Sequence, residues 1–123
     1  MARQHKSKDE IREYIEQTFG YNLHRSCDEI RPAYRFDATC QGLCPEAIIA
    51  FLDSHDYESA IRLAISLGGD SDTIACMTGG IAATYYGIPL WLVNYVTVEF
   101  LPQYTLDILD RFDKACIGRS RYK

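Results

Sequence analysis

No stretch of this chain is apolar over the roughly 18 residues a helix needs to cross a bilayer, and its opening residues, Met1-Ala2-Arg3-Gln4-His5-Lys6, have no apolar core of the signal-peptide kind. Both absences predict a soluble cytoplasmic protein with no membrane partner. An excess of positive charge is missing too. With 13 Lys and Arg against 17 Asp and Glu, the net charge of −4 offers no electrostatic hold on nucleic acid. The basic residues that do cluster, Arg3, Lys6 and Lys8 at one end and Arg119, Arg121 and Lys123 at the other, read as solvated tails. The five cysteines, Cys27, Cys40, Cys44, Cys76 and Cys116, are odd in number and contain no C-x-x-C. The Cys40–Cys44 spacing matches no common zinc site, and no later histidine pair completes one, so reduced thiols are expected. His5, His24 and His55 show no His-x-x-x-His spacing and no nucleophile partner, which gives no basis for a catalytic triad. Repeats, low-complexity tracts and linkers are likewise absent. A chain of 123 residues, 47% hydrophobic and 24% charged, predicts one domain over 1–123 with a sizeable core.

What the sequence does contain is helical periodicity. Ser7-Lys8-Asp9-Glu10 is a capping box, and Ile11, Tyr14, Ile15, Thr18 and Phe19 follow at the spacing of one buried helix face, with Gly20 placed as its C-cap. Ser26 to Glu29 repeats the box ahead of a short helix and a long connection. Pro45 suits a first helical position, and Ala47, Ile48, Ile49, Phe51 and Leu52 predict a segment buried on most sides. Tyr57, Ala60, Ile61, Ala64 and Ile65 define the next helix face, with Glu58 and Arg62 paired at i, i+4 on the solvent side. From Thr73 to Tyr86 the residues are apolar or small nearly all round, as in a helix at the centre of a bundle, and Gly79-Gly80 would admit a neighbouring backbone. The β-branched run Val93 to Val98 has strand character, but with no other strand to pair with, helix is the better reading. Pro102 opens a last helix with Leu106, Leu109 and Phe112 inward.

Between the two central helices stands Leu67-Gly68-Gly69-Asp70-Ser71-Asp72-Thr73. The glycines permit a backbone turn at positive φ. Two carboxylates and a hydroxyl then fall at one helix entrance, a donor set suited to Mg²⁺, Mn²⁺ or Ca²⁺ and unsuited to zinc. Asp70, Ser71 or Asp72 would serve equally as a simple N-cap. Spacing leaves both readings open.

The runs Thr39-Cys40-Gln41-Gly42, Pro45 to Leu52, Ala60 to Thr73 and Gly79 through Tyr85-Tyr86-Gly87 closely resemble the C-terminal part of the ADP-ribosylglycohydrolase family, over nearly the whole chain. The resemblance implies an all-α orthogonal helical bundle and a cleft holding two Mg²⁺ or Mn²⁺ ions, where ADP-ribose is hydrolysed from modified side chains or related acceptors. The family's Gly-Gly-Asp-x-Asp-Thr motif falls on Gly68, Gly69, Asp70, Ser71, Asp72 and Thr73, which makes Asp70, Asp72 and Thr73 the implied metal ligands. The family's Thr-Asp-Asp-Thr-type motif and upstream Glu have no counterpart here. Asp9-Glu10 and Asp28-Glu29, the adjacent acidic pairs, sit inside capping boxes. The chain is therefore expected to correspond to the C-terminal half of the enzyme, with no assignable catalytic or substrate-binding residue of its own. Cys44 stands where the family more often has a small aliphatic residue and reads as a buried substitution. Self-association, or pairing with a separate polypeptide supplying the N-terminal half, is the expected route to a complete site, and an ADP-ribosylated substrate is expected if the site is active. A non-catalytic binding or assembly module with at most a weak divalent-cation site is the alternative.

Overall fold

The structure, a computed structural model, describes residues 1–116; the predicted basic tail at Arg119, Arg121 and Lys123 lies outside them. Seven α-helices and one short 3-10 turn, Ala2–Gln4, make up the regular structure, with no strand among the described residues. The protein is all-α. It divides into two compact units, Met1–Gly87 and Ile88–Lys123.

In the first unit, capping chemistry sets the helix starts. Helix α1, Lys8–Phe19, begins at a complete capping box: Ser7 Oγ accepts from the Glu10 amide while Glu10 accepts from the Ser7 amide. It ends at Gly20, whose φ of +71° is the left-handed conformation predicted for it. Helix α2, Cys27–Ile30, starts at the second box, Ser26 with Glu29. Helix α3, Cys40–Asp53, begins one turn earlier than the sequence suggests, because Thr39 caps it through the Gly42 amide at 3.1 Å. Pro45 therefore lies inside α3 instead of opening it. Helix α4, Tyr57–Ser66, starts at Asp56, whose carboxylate accepts from the Ser59 amide at 2.6 Å. The Glu58–Arg62 pair forms as expected, at 2.8 Å. Helix α5 runs Ser71–Tyr86.

The core forms where α3, α4 and α5 pack together. Ile49, Phe51 and Ile74 are completely buried, as are Ala47, Ala60, Ala64 and Ala82. Small residues bring α4 and α5 close. A Cβ on Gly79 would stand 3.0 Å from Ile61 Cδ1 and 3.4 Å from the Tyr57 hydroxyl, whereas Gly80 meets nothing within 4 Å, so Gly79 alone serves the close approach. Thr78, fully buried, donates through Oγ1 to the Ala47 carbonyl at 2.9 Å and ties α5 to α3. The Tyr86 hydroxyl bonds the Ser54 carbonyl at 2.9 Å just beyond the end of α3.

Some expected inward faces are exposed. On α1 only Ile11 is buried, with Ile15 partly so; Tyr14 and Phe19 face outward, because the helix touches the core along a narrow strip. Ile65 of α4 is likewise exposed. Lys8 departs from the solvated-tail reading in the opposite direction. Its ammonium donates to the carbonyls of Leu52 and Ser54 and lies 5.3 and 5.5 Å from the ring centroids of Phe51 and Tyr86.

In the second unit, helix α6 spans Leu90–Glu99, so the β-branched run is helical, and helix α7 spans Gln103–Cys116. None of the α6 residues is buried: Leu90, Trp91, Tyr95 and Val98 are all exposed. Phe112 of α7, expected inward, is 60% exposed. No described helix is long and apolar enough to cross a membrane.

Candidate metal centre

The motif occupies the turn from α4 into α5. Leu67, buried, ends α4 against the core, and Gly68 and Gly69 then take φ of +76° and +62°. Such angles favour glycine over any residue with a side chain. The two positions have different surroundings. Around Gly68 a Cβ would meet open space; at Gly69 it would lie 2.7 Å from the Tyr34 ring and 3.3 Å from the Arg35 carbonyl. The turn is therefore clamped from outside by the irregular segment after α2. Tyr34 is itself held, its hydroxyl donating to the Gly42 carbonyl at 3.2 Å in the first turn of α3.

Asp70 takes the N-cap position of α5, and its carbonyl accepts the Ile74 amide at 3.1 Å. Its carboxylate makes no capping hydrogen bond. The Asp72 carboxyl is held below the usual carboxylate range, first by the neighbouring Asp70 carboxyl and then by the backbone amides of Thr73 and Asp72. Two carboxylates at this separation repel unless a proton or a cation lies between them. Thr73 follows on the same first turn, half-buried, and Ile74 after it is fully buried.

The structure thus brings Gly68, Gly69, Asp70, Asp72 and Thr73 together at one helix entrance, and of the two open readings the plain cap fails for Asp70. The donor set is two carboxylates and one hydroxyl, all hard oxygens, and it fits a divalent cation of the Mg²⁺ or Mn²⁺ class. The positive end of the α5 dipole favours the negative charge of the pair. Among the described residues no group of three or more His, Cys, Asp or Glu is placed to enclose a metal ion by itself.

Tyr34 is the contributor that periodicity could not reveal, since it lies in a segment with no helical repeat. Its hydroxyl is pushed above the usual tyrosine range, first by burial and then by the negative charges of Glu46, Asp37 and Asp70. Glu46, 7% exposed, is neutralised by a two-pronged contact with Arg25 at 3.0 and 3.1 Å. None of the three histidines joins this group. His24 faces Glu16 at 3.1 Å, His55 lies 3.7 Å from Asp56, and the His5 ring sits 6.2 Å from that of Tyr85. A surface depression of about 700 Å³ is lined by Ile108, Arg111, Phe112, Lys114 and Ala115 and includes no motif residue.

Comparison with known proteins places this architecture. ADP-ribosylhydrolase ARH3 of Danio rerio is 58% identical over 46 residues, which cover 34% of this chain and 12% of that protein. The chain therefore matches only a small part of the length of that curated relative. No solved structure gives a significant match. The ADP-ribosylglycohydrolase family model matches residues 2–118, and with an all-helical fold and the Gly-Gly-Asp-x-Asp-Thr turn at a helix entrance, the chain belongs to the ADP-ribosylglycohydrolase family.

Proposed function

We propose that Asp70, Asp72 and Thr73 hold a divalent cation of the Mg²⁺ or Mn²⁺ class and form part of a site that hydrolyses ADP-ribosyl linkages. One observation carries this reading: Asp70 stands at the cap position with its carboxylate unused by the helix and within reach of Asp72. The depressed Asp72 carboxyl keeps its charge through the physiological range. Gly68 and Gly69 fix the turn, and Tyr34 holds that turn against α3. When bound, such a cation supplies a template for ribose hydroxyls and a polarised water. Three oxygens from one turn bind such an ion weakly, because affinity rises with ligand number and rigidity.

The remaining ligands and the general base then come from another protein surface, either a second copy or a separate polypeptide with the family's N-terminal motifs. Exposed Leu90, Trp91, Val98 and Phe100 give the second unit apolar surface of the kind that partners cover. The free thiols fit a reducing compartment such as the cytoplasm.

Incubation with an ADP-ribosylated arginine substrate and Mn²⁺, with and without the candidate partner, tests the enzymatic reading. Release of ADP-ribose that Asp72→Asn and Asp70→Asn both abolish supports it. A chain that binds Mn²⁺ in calorimetry but never releases ADP-ribose is instead a non-catalytic binding module, a reading favoured by the three-donor count. No Mn²⁺ binding at millimolar concentration reduces the motif to a structural turn.

A further inference from the structure

Helix α7 presents two different faces. One carries Leu106 and Leu109, half-buried, and Asp113, buried. The other carries Tyr104, Ile108, Phe112 and Ala115, spaced i, i+4, i+8 and i+11 and so confined to an arc of about 80° along the whole helix. Tyr104, Ile108 and Phe112 are 69%, 57% and 60% exposed. Three large apolar side chains in one line differ from the singly scattered ones of an ordinary surface. The depression of about 700 Å³ follows the same stripe, with Ile108, Phe112 and Ala115 in its lining beside Arg111 and Lys114.

Charge decides what fits this stripe. One flank bears Asp107, Arg111 and Lys114 at i, i+4 and i+7, the acid toward the helix start and the bases toward its end. The other flank, Thr105, Leu109 and Cys116, has no charge. If two copies of such a helix pack in parallel, the charged flank of each faces the uncharged flank of the other. If they pack antiparallel, the two charged flanks meet with their order reversed. Only the second arrangement brings Asp107 of each copy to the bases of the other. The two-fold axis that sets Ile108 against Phe112 of the second copy passes beside residue 110, and the same axis brings Asp107 to Arg111 and Lys114 of that copy. Apolar packing and charge therefore select one geometry. Asp107 accepts from Gln103 at 2.9 Å and Lys114 donates to Asp110 at 2.5 Å, so these charges enter the pair already ordered along the helix.

We propose that the α7 face bearing Tyr104, Ile108 and Phe112 is a self-association surface, on which a second copy of this chain docks its own α7 antiparallel about a two-fold axis. The stripe supplies affinity and the charged flank fixes orientation. One helix of 14 residues, about 21 Å long, makes a small interface, so the dimer is weak and depends on concentration. The assignment is independent of whether the Gly68–Thr73 turn holds a cation.

Sedimentation equilibrium of the full chain, from micromolar to near-millimolar concentration, is the test. The mass should rise from 14.0 kDa toward twice that value. Ile108→Glu and Phe112→Glu alter exposed positions, and far-UV circular dichroism checks that both variants fold; each should weaken association at least ~10-fold. Asp107→Arg should weaken it about 3–10-fold, and adding Arg111→Asp to that variant should recover most of the loss, because opposite charges again meet across the axis. A chain that stays monomeric throughout would overturn the proposal and leave the face to a different partner. A dimer that both folded glutamate variants leave intact, or a charge-swapped double variant no tighter than Asp107→Arg alone, would overturn it equally.

Discussion

The Tyr34 ring lies 2.7 Å from the point where a Cβ on Gly69 would stand, while the same atom on Gly68 would meet nothing. Two adjacent glycines with the same backbone handedness are thus needed for different reasons. Gly68→Ala should cost about 1–2 kcal/mol, the strain of a left-handed residue with a side chain. Gly69→Ala adds the collision with a ring anchored on α3 and should cost about 2–4 kcal/mol in total. Urea unfolding of the two variants measures the difference, and equal losses would show that Tyr34 yields freely.

Lys8 joins the start of α1 to the end of α3. Its ammonium bonds the carbonyls of Leu52 and Ser54 and faces the rings of Phe51 and Tyr86. Lys8→Met keeps the aliphatic stem and removes the charge, so it should lower stability by about 1–2 kcal/mol in thermal unfolding. Lys6→Met, which loses only an exposed ion pair with Glu10, should change it by less than about 0.5 kcal/mol.

The Thr78 hydroxyl is buried against the Ala47 carbonyl. Thr78→Val preserves the shape and deletes the donor, for an expected loss of about 1–2 kcal/mol. Thr78→Ser keeps the donor and loses a methyl group, and should cost about 1 kcal/mol through the small cavity it leaves. Denaturant midpoints at constant slope separate the two effects.

Acid should act through the helix caps. Glu10, Glu29 and Asp56 all have carboxyls held below their ordinary values, in each case chiefly by a backbone amide of the cap. The unfolded chain therefore takes up these protons first as pH falls, so the stability they provide is complete above about pH 4.5 and is lost as pH drops through the lower folded values. Melting curves from pH 6 to 3 should show this decline. The triple variant Glu10→Gln, Glu29→Gln, Asp56→Asn should make it shallower, leaving the part carried by Asp37 and Asp72.

Helix positions were readable wherever a cap or an apolar period announced them: Ser7, Ser26, the run Ala47 to Leu52, and the turn at Gly68. The start of α3 was not, because Pro45 is a strong local signal for a helix beginning while the Thr39 cap is a weak one, and the chain accommodates the proline inside the helix. Periodicity also overstated burial at Tyr14, Phe19, Ile65 and Phe112, since it marks which residues share a face but not whether anything covers that face. At the site, the motif's donors were visible in sequence. The Tyr34 clamp was not, as it depends on how an aperiodic segment folds back over a turn more than thirty positions later.

Thr73 is followed at once by Ile74, which is fully sealed in the core, and the same helix carries the buried Thr78 and Ala82. The donor turn is therefore the first turn of a helix that packs into the core, and not a loop that opens by itself. Its backbone hydrogen bonds should exchange with solvent only when the three-helix core opens. Any agent that loosens α3 or α4 will disorganise the donors without touching them, and any ligand that grips the donors will slow exchange at amides deep in the core.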